Sequence, residues 1–391
     1  MRERLAYVWV NVVETLFRVL PFRCRTGLVP LGDPGRDAPV LLTCNFRLTV
    51  ERVKRTLRGT DAWLLVANSR GVNVWCAATG GLLTDHDVIA ALKTSGIEER
   101  VDHRRLILPQ LAATGIEAKA IQQRTGWHVV WGPVRAADIP VFLAGGRDAT
   151  QAMRTVTFPW RDRVEMAIAW AFPISLAGGL LALPFLGRSV GGLIALVWTV
   201  SLALFLAFPL YEGRVRRSGR NRGFVFFDFG RTGLPLLAWG IFVLGLIGYG
   251  AISNEADLGF VLRWAVGSLV ILLILSLDLT GSTPMFKSGL HEDRLLRIEL
   301  DEELCKGAGF CADVCPTAVF EIDPKRHLAT LPRARSCVQC GACIVQCSFD
   351  ALSFRSPSGA SIPPEIVRRF KLNLLGARAR RSASAVGSDP V

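Results

Sequence analysis

"DAWLLVANSRGVNVWCAA", residues 61–78, runs from an unbroken apolar stretch through a polar turn and a glycine to a cysteine among small residues. The apolar stretch reads as a strand buried on both faces. The residues around Cys76 read as the start of a helix. At a strand's exit, backbone N–H groups and the helix dipole favour a thiolate, and a thiolate is a soft, strongly donating metal ligand. Packing beside Trp75 is the other reading of the same cysteine. These residues alone leave both open.

The same alternation extends outward. Strands are expected in "APVLLTCNF" (38–46), "RRLILPQLAATG" (104–115) and "WHVVWGPV" (127–134). Helices are expected in "LTVERVKRTLRG" (48–59), "DHDVIAALKTSG" (85–96) and "GIEAKAIQQRTG" (115–126). Strands alternating with helices predict an α/β domain with a mostly parallel sheet, whose ligands sit at the strands' carboxyl ends.

Seven of the ten cysteines fall between 305 and 347. Residues 337–347, "CVQCGACIVQC", carry the Cys-x2-Cys-x2-Cys-x3-Cys run of bacterial ferredoxins. Residues 305–316, "CKGAGFCADVCP", align from Pro316 with cysteines at the first, third and fourth places; Ala308 stands at the second. In two-cluster proteins the fourth cysteine of each run serves the other cluster. Cys315, Cys337, Cys340 and Cys343 then hold a [4Fe-4S] cluster. Cys305, Cys311 and Cys347 supply three thiolates, which suit a [3Fe-4S] cluster or a [4Fe-4S] cluster with one open iron. Zinc is the competing reading, and the paired runs with Pro316 weigh against it. Ser348, where a proline is usual, is a minor departure.

The chain has 391 residues, half of them apolar, and a net charge of +13. Four apolar runs, 164–186, 190–211, 234–253 and 258–280, are long enough to cross a bilayer, which takes roughly 20 residues. The connector 212–223 holds five arginines, and 252–257, "ISNEAD", is acidic. Arginine retention on the cytoplasmic side explains the charge better than nucleic acid does, and no nucleic-acid partner is expected. Four crossings would leave both flanking parts in the cytoplasm, the reducing compartment iron thiolates need. The expected localisation is therefore the cytoplasmic (inner) membrane, multi-pass. The segment "RLAYVWVNVVETLFRVLPF" (4–22) carries Glu14 and Arg18 and reads as an interfacial helix. "FVFFDFGRTG" (224–233) reads as interfacial or as an early start of the third span. The basic tail 366–381 reads as a lipid contact or as disordered. The domain boundaries expected are 1–37 (lead-in), 38–160 (α/β), 161–283 (transmembrane), 295–356 (iron–sulfur) and 357–391 (basic tail).

"NVWCAA" (73–78) resembles the cap-helix motif of the corrinoid protein of the bacterial mercury-methylation pair. "PVLLTCNFRLTV", "DAWLLVANSRGVNVWCAA", "HRRLILPQLAATGI", "GWHVVWGPVRAADIP" and "LDLTGSTP" are similar to that family in the same order. The resemblance covers about 38–290, and about 297–355 resembles the family's two-cluster ferredoxin partner. The chain therefore looks like the two proteins fused. The resemblance implies three parts: an α/β corrinoid-binding domain, a helical transmembrane domain of about four helices, and a C-terminal ferredoxin-like α+β iron–sulfur domain. It implies that Cys76 binds cobalt from below, on a helix shaped by Asn73, Val74, Trp75, Ala77 and Ala78. The clusters would reduce the cobalt, which would take a methyl group from methyl-folate or a methyl donor protein and pass it to Hg(II) or another acceptor. A cytoplasmic electron donor completes the partners. Fusion raises the effective concentration of reductant at the corrinoid.

Three departures bear on the acceptor. Thr79 and Gly80 replace the family's Gly-Lys, Ala308 replaces a cysteine, and no cysteine follows Cys347. His86, His103 and His128 lie outside any Asp-x-His-x-x-Gly motif and read as surface or capping residues, and Cys24 and Cys44 as structural. The alternative function is a membrane-bound ferredoxin-type electron-transfer protein without methyl transfer, which leaves Cys76 without a role.

Overall fold

The computed structural model describes residues 2–18, 20–216, 229–253, 258–278, 296–356 and 359–370. The chain divides into two compact units, each built from two stretches: 1–20 with 157–292, and 21–156 with 293–391. Helix α1 (Arg2–Leu16) belongs to the first. The chain then enters the second through β1 (Gly27–Leu31), β2 (Val40–Cys44), α2 (Arg47–Thr56), β3 (Ala62–Ala67), α3 (Val74–Thr79), α4 (Asp85–Thr94), β4 (Arg105–Pro109), α5 (Ala118–Thr125), β5 (His128–Gly132), α6 (Ile139–Ala144) and α7 (Gln151–Arg154). It returns to the first for α8 (Trp160–Leu186), α9 (Val190–Leu206), α10 (Phe208–Arg216), α11 (Phe229–Ser253) and α12 (Leu258–Asp278). It finishes in the second with β6 (Arg297–Leu300), α13 (Phe310–Val314), β7 (Glu321–Asp323), β8 (Leu328–Thr330), α14 (Ala342–Gln346), β9 (Leu352–Arg355), β10 (Ser361–Ile362) and α15 (Pro364–Phe370).

The second unit is organised by a five-stranded sheet in the order β1-β3-β2-β4-β5. β2, β3, β4 and β5 are parallel, and β1 runs antiparallel to β3. β2 and β3 are buried along their whole length, which explains their continuous apolar sequences. Helix α2 turns Leu48, Val50 and Val53 inward. Helix α4 opens on a capping box: the Asp87 carboxylate accepts from Thr84 N–H at 2.8 Å and Thr84 Oγ1 at 2.7 Å. Helix α5 closes on Gly126, whose φ of 74° suits glycine. The chain passes from β3 across β2 to β4, so the switch of strand order falls between β2 and β4, and α3 lies at the sheet's carboxyl edge.

The C-terminal stretch adds an antiparallel sheet, β10-β9-β6, and the β7–β8 pair. Phe354, Ile344, Val319 and Val367 form its core with Cys311, Cys315 and Cys343. It clusters with residues 21–156 as one unit. The expected separate ferredoxin-like domain is therefore corrected: the cysteine-bearing segment is part of a mixed α/β unit.

In the first unit, Ser201 Oγ donates to the Ala167 carbonyl at 2.9 Å, tying α9 to α8. Trp239 Nε1 donates to Ser268 Oγ at 3.0 Å, tying α11 to α12. Arg18 pairs with Glu165 at 2.7 Å. The expected four-span domain is not borne out. Among the described residues two helices, not four, are long and apolar enough to cross a bilayer, Trp160–Pro184 and Leu258–Leu275. Both leave apolar side chains exposed, Leu181 and Leu262 among them. The expected run 190–211 is broken after Leu206, where a new helix begins with Pro209 in its first turn. In α11 the apolar stretch among the described residues is Trp239–Ile252. Most of the arginine connector (217–223), part of "FVFFDFGRTG" (224–228) and of "ISNEAD" (254–257), most of "LDLTGSTP" (279–284) and the tail beyond 370 lie outside the described residues.

Candidate functional site

Asn45, immediately after β2, shapes the turn that leads to Cys76. Its buried Oδ1 accepts from the N–H groups of Ser69 at 2.8 Å and Gly71 at 3.0 Å, and lies 3.0 Å from Ser69 Oγ. Asn73 then caps α3: its Oδ1 accepts from Cys76 N–H at 2.9 Å, and its Nδ2 donates to Cys76 Sγ at 3.4 Å. Cys76 is exposed, Val74 and Trp75 are half-buried, and Ala77 and Ala78 are fully buried. Gly115 presses against this helix. A Cβ there would stand 2.4 Å from the Ala78 carbonyl oxygen and 2.8 Å from its Cα, so only glycine lets α3 lie so close.

The seven C-terminal cysteines lie in the core of the C-terminal stretch or beside it. Burial pushes the Cys340 thiol up, with Cys315 and Cys337 adding to the rise. Burial also pushes Cys343 well up, helped by Cys340, Cys337, Cys315 and Cys311. Cys311 is pushed up to about 12, by burial first and then by Cys347 and Cys305 among its neighbours. Cys305, Cys311 and Cys347 line one cleft, and Ala308 lines it with them. Backbone N–H groups point at three sulfurs: Val319 at Cys315 (3.3 Å), Ala329 at Cys305 (3.4 Å) and Gln339 at Cys337 (3.4 Å). Among the described residues no group of three or more His, Cys, Asp or Glu is set to hold a single metal ion. An iron–sulfur cluster is wider than one ion and takes thiolates from further apart.

What sequence reasoning missed is the junction inside the second unit. Gln346, in the middle of the last cysteine run, donates through Nε2 to the carbonyls of Ala113 (2.8 Å) and Ile116 (2.6 Å) and accepts from Ala118 N–H (3.2 Å). Arg154 pairs with Asp313 at 2.8 Å, and Val156 N–H donates to the Pro316 carbonyl at 2.8 Å. Ala113, Val314, Cys340 and Ala342 form a buried apolar cluster, and Trp75, Trp131 and Val338 pack against it. The residue next to Cys76 and a cysteine of the four-member set thus share one packed cluster. Neither Gln346 nor Asn45 carries a local signal, because each acts on backbone distant in sequence.

The remaining candidates play structural parts. His103 Nε2 lies 3.0 Å from the Ala38 carbonyl, and His86 and His128 are exposed. Cys44 is fully buried and its thiol is pushed up by that burial.

The second unit is thus an α/β unit with an exposed cysteine after its third strand, packed on a segment carrying seven more cysteines. Part of this unit has relatives among known proteins. Residues 14–143 match the model of the family described as CO dehydrogenase/acetyl-CoA synthase delta subunit. The gamma subunit of the acetyl-CoA decarbonylase/synthase complex from Archaeoglobus fulgidus is 39% identical over 125 residues, 32% of this chain and 26% of the relative. That from Methanopyrus kandleri is 35% identical over 125 residues (32% and 27%), and that from Methanocaldococcus jannaschii 33% over 149 residues (38% and 29%). The chain thus spans between a quarter and three-tenths of the length of these relatives. The matches correct the expected resemblance to the mercury-methylation corrinoid protein: the family and relatives they name are those of acetyl-CoA synthesis, and the mercury acceptor falls with it. The expected multi-pass placement in the cytoplasmic membrane falls too. Among the described residues two candidate helices replace four, and the relatives are named as subunits of an enzyme complex.

Proposed function

We propose that the chain is a corrinoid-dependent methyl-transfer protein in which Cys76 would hold the corrinoid's cobalt and the C-terminal cysteines would hold clusters that supply electrons. The observation that carries this reading is the packing of Trp75, beside Cys76, against the cluster containing Cys340. The similarity of residues 14–143 to acetyl-CoA synthase subunits supports it independently.

The residues fit a corrinoid ligated by sulfur. The Cys76 side chain is exposed rather than walled in, and its Sγ accepts from Asn73 Nδ2, a bond that favours the thiolate. Asn73 and Gly115 fix the helix that carries it, so the sulfur is held in place before any ligand arrives. Val74, Trp75, Ala77 and Ala78 supply the rest of that helix. When bound, a corrinoid supplies a cobalt that takes a methyl group from a donor and passes it to an acceptor.

On the redox side, Cys315, Cys337, Cys340 and Cys343 would hold a four-iron cluster. Cys305, Cys311 and Cys347 would hold a three-iron cluster, or a four-iron cluster open at Ala308. The N–H groups of Val319, Ala329 and Gln339 stabilise anionic sulfur, a means by which proteins tune cluster potential. Trp75 and Val338 fill the space between the four-cysteine set and α3 and exclude water there. This reading requires a methyl-folate or methyl donor protein and an electron donor as partners.

The test is anaerobic loading with cobalamin, comparing the visible spectrum of wild type with Cys76→Ala. A base-off, thiolate-ligated spectrum lost in the variant is expected. Identical spectra for the two proteins would refute the cobalt assignment.

A further inference from the structure

Cys347 faces two ways. It lines the three-cysteine cleft, and it lines a groove of about 590 Å³ with β5 and α5 on one side and α13 and α14 on the other. That volume is typical of a binding site. β5 is the last strand of its sheet, so no further strand covers this side. Phe310 lines both the cleft and the groove and is 41% exposed; Phe349, in the cleft, is equally exposed. Large aromatics left in water around a cysteine edge mark an interaction surface.

Cations surround this apolar centre: Lys119 and Arg147 in the groove and Lys306 in the cleft. Two of the groove's three acids are engaged, Asp313 with Arg154 at 2.8 Å and Glu117 with Arg368 at 3.8 Å, which leaves Asp148. No ion pair within the described residues takes up Lys119, Arg147 or Lys306. Arg147 adopts a left-handed backbone (φ 73°). Burial and the charge of Arg105 both pull its pKa down, as expected for a cation without a counter-ion.

We infer that this face, with Cys347, Phe310 and Phe349 at its centre and Lys119, Arg147 and Lys306 around them, docks a small acidic electron-carrier protein. An apolar centre with a charged rim is the anatomy of a protein interface. Electron-transfer encounters are small and steered by charge. The chain's own terminal stretch is the wrong occupant, since 371–391 carries Lys371, Arg378, Arg380 and Arg381 against the single acid Asp389. The inference rests on the iron–sulfur reading above and orders it. Electrons come in at the three-cysteine set and leave through the four-cysteine set toward Trp75. One electron passes from the carrier's reduced flavin to iron held by Cys305, Cys311 and Cys347; no covalent bond forms or breaks.

The test uses the full chain, reconstituted with iron and sulfide, and an acidic flavodoxin as probe. Lys119→Glu with Arg147→Asn removes the groove's unpaired cations, and asparagine tolerates a left-handed backbone. Calorimetry with oxidised flavodoxin gives affinity, and stopped-flow bleaching of the iron–sulfur absorption by reduced flavodoxin gives rate. Both are expected to fall about tenfold or more and to lose much of their salt dependence, while reduction by dithionite is unchanged. Equal affinity and rate in iron-loaded wild type and variant would overturn the docking face alone. A reconstituted wild type without iron–sulfur absorption would overturn the cluster assignment, and this inference with it.

Discussion

Replacing Gln346 with leucine keeps nearly the same side-chain volume and removes three hydrogen bonds at once. Gln346 is 7% exposed, so the carbonyls of Ala113 and Ile116 and the N–H of Ala118 would be left with little water to replace it. A buried hydrogen bond contributes about 1 kcal/mol net, and an orphaned buried group costs about 1–3 kcal/mol. Three bonds give about 3 kcal/mol as the smaller sum, a large share of the roughly 5–15 kcal/mol that holds a domain folded. The effect should concentrate at the junction, so the assay is hydrogen exchange followed by mass spectrometry on peptides spanning 110–118. A loss of about 3 kcal/mol in local opening means roughly hundredfold faster exchange there, with smaller changes in β2 and β3. Unchanged exchange over 110–118 in Gln346→Leu would refute the view that this side chain fastens the cysteine segment to the sheet.

Ala308→Cys should complete the second cysteine set, because Ala308 lines the same cleft as Cys305, Cys311 and Cys347. Iron content should rise and the paramagnetic signal of an incomplete cluster should vanish, whereas unaltered iron content would count against the assignment. Gly115→Val drives a side chain into the main chain of Ala78. It should lower stability by about 1–3 kcal/mol and weaken the Cys76-dependent cobalt spectrum; an unaltered melting curve would contradict the packing. In the metal-free protein at neutral pH, iodoacetamide should label exposed Cys76 early. Fully buried Cys44, held protonated by its raised pKa, should stay unlabelled until the chain unfolds, as peptide mass mapping can check.

The strands β2, β3 and β4 were legible because buried parallel strands need unbroken apolar runs, and the half-buried edge strand β5 keeps such a run in Val129–Trp131. β1 escaped notice because "GLVPL" is short and interrupted by Pro30, which suits a sheet edge and weakens the strand signal. The helical segment reads as four spans because summed hydropathy does not register the break after Leu206. The proposed cysteine sets rest on spacing, because cluster ligation constrains local sequence tightly. The contacts of Trp75 with the Cys340 cluster, and of Gln346 with Ala113 and Ile116, join residues more than 200 positions apart and leave no periodic trace.

The chain leaves the second unit after residue 156 and rejoins it at 293, having built the whole of α8 to α12 in between. The two halves of this unit are therefore held together by side chains and backbone groups as well as by the chain that joins them. The link between them keeps the two halves at high effective concentration, whatever the helices in between do.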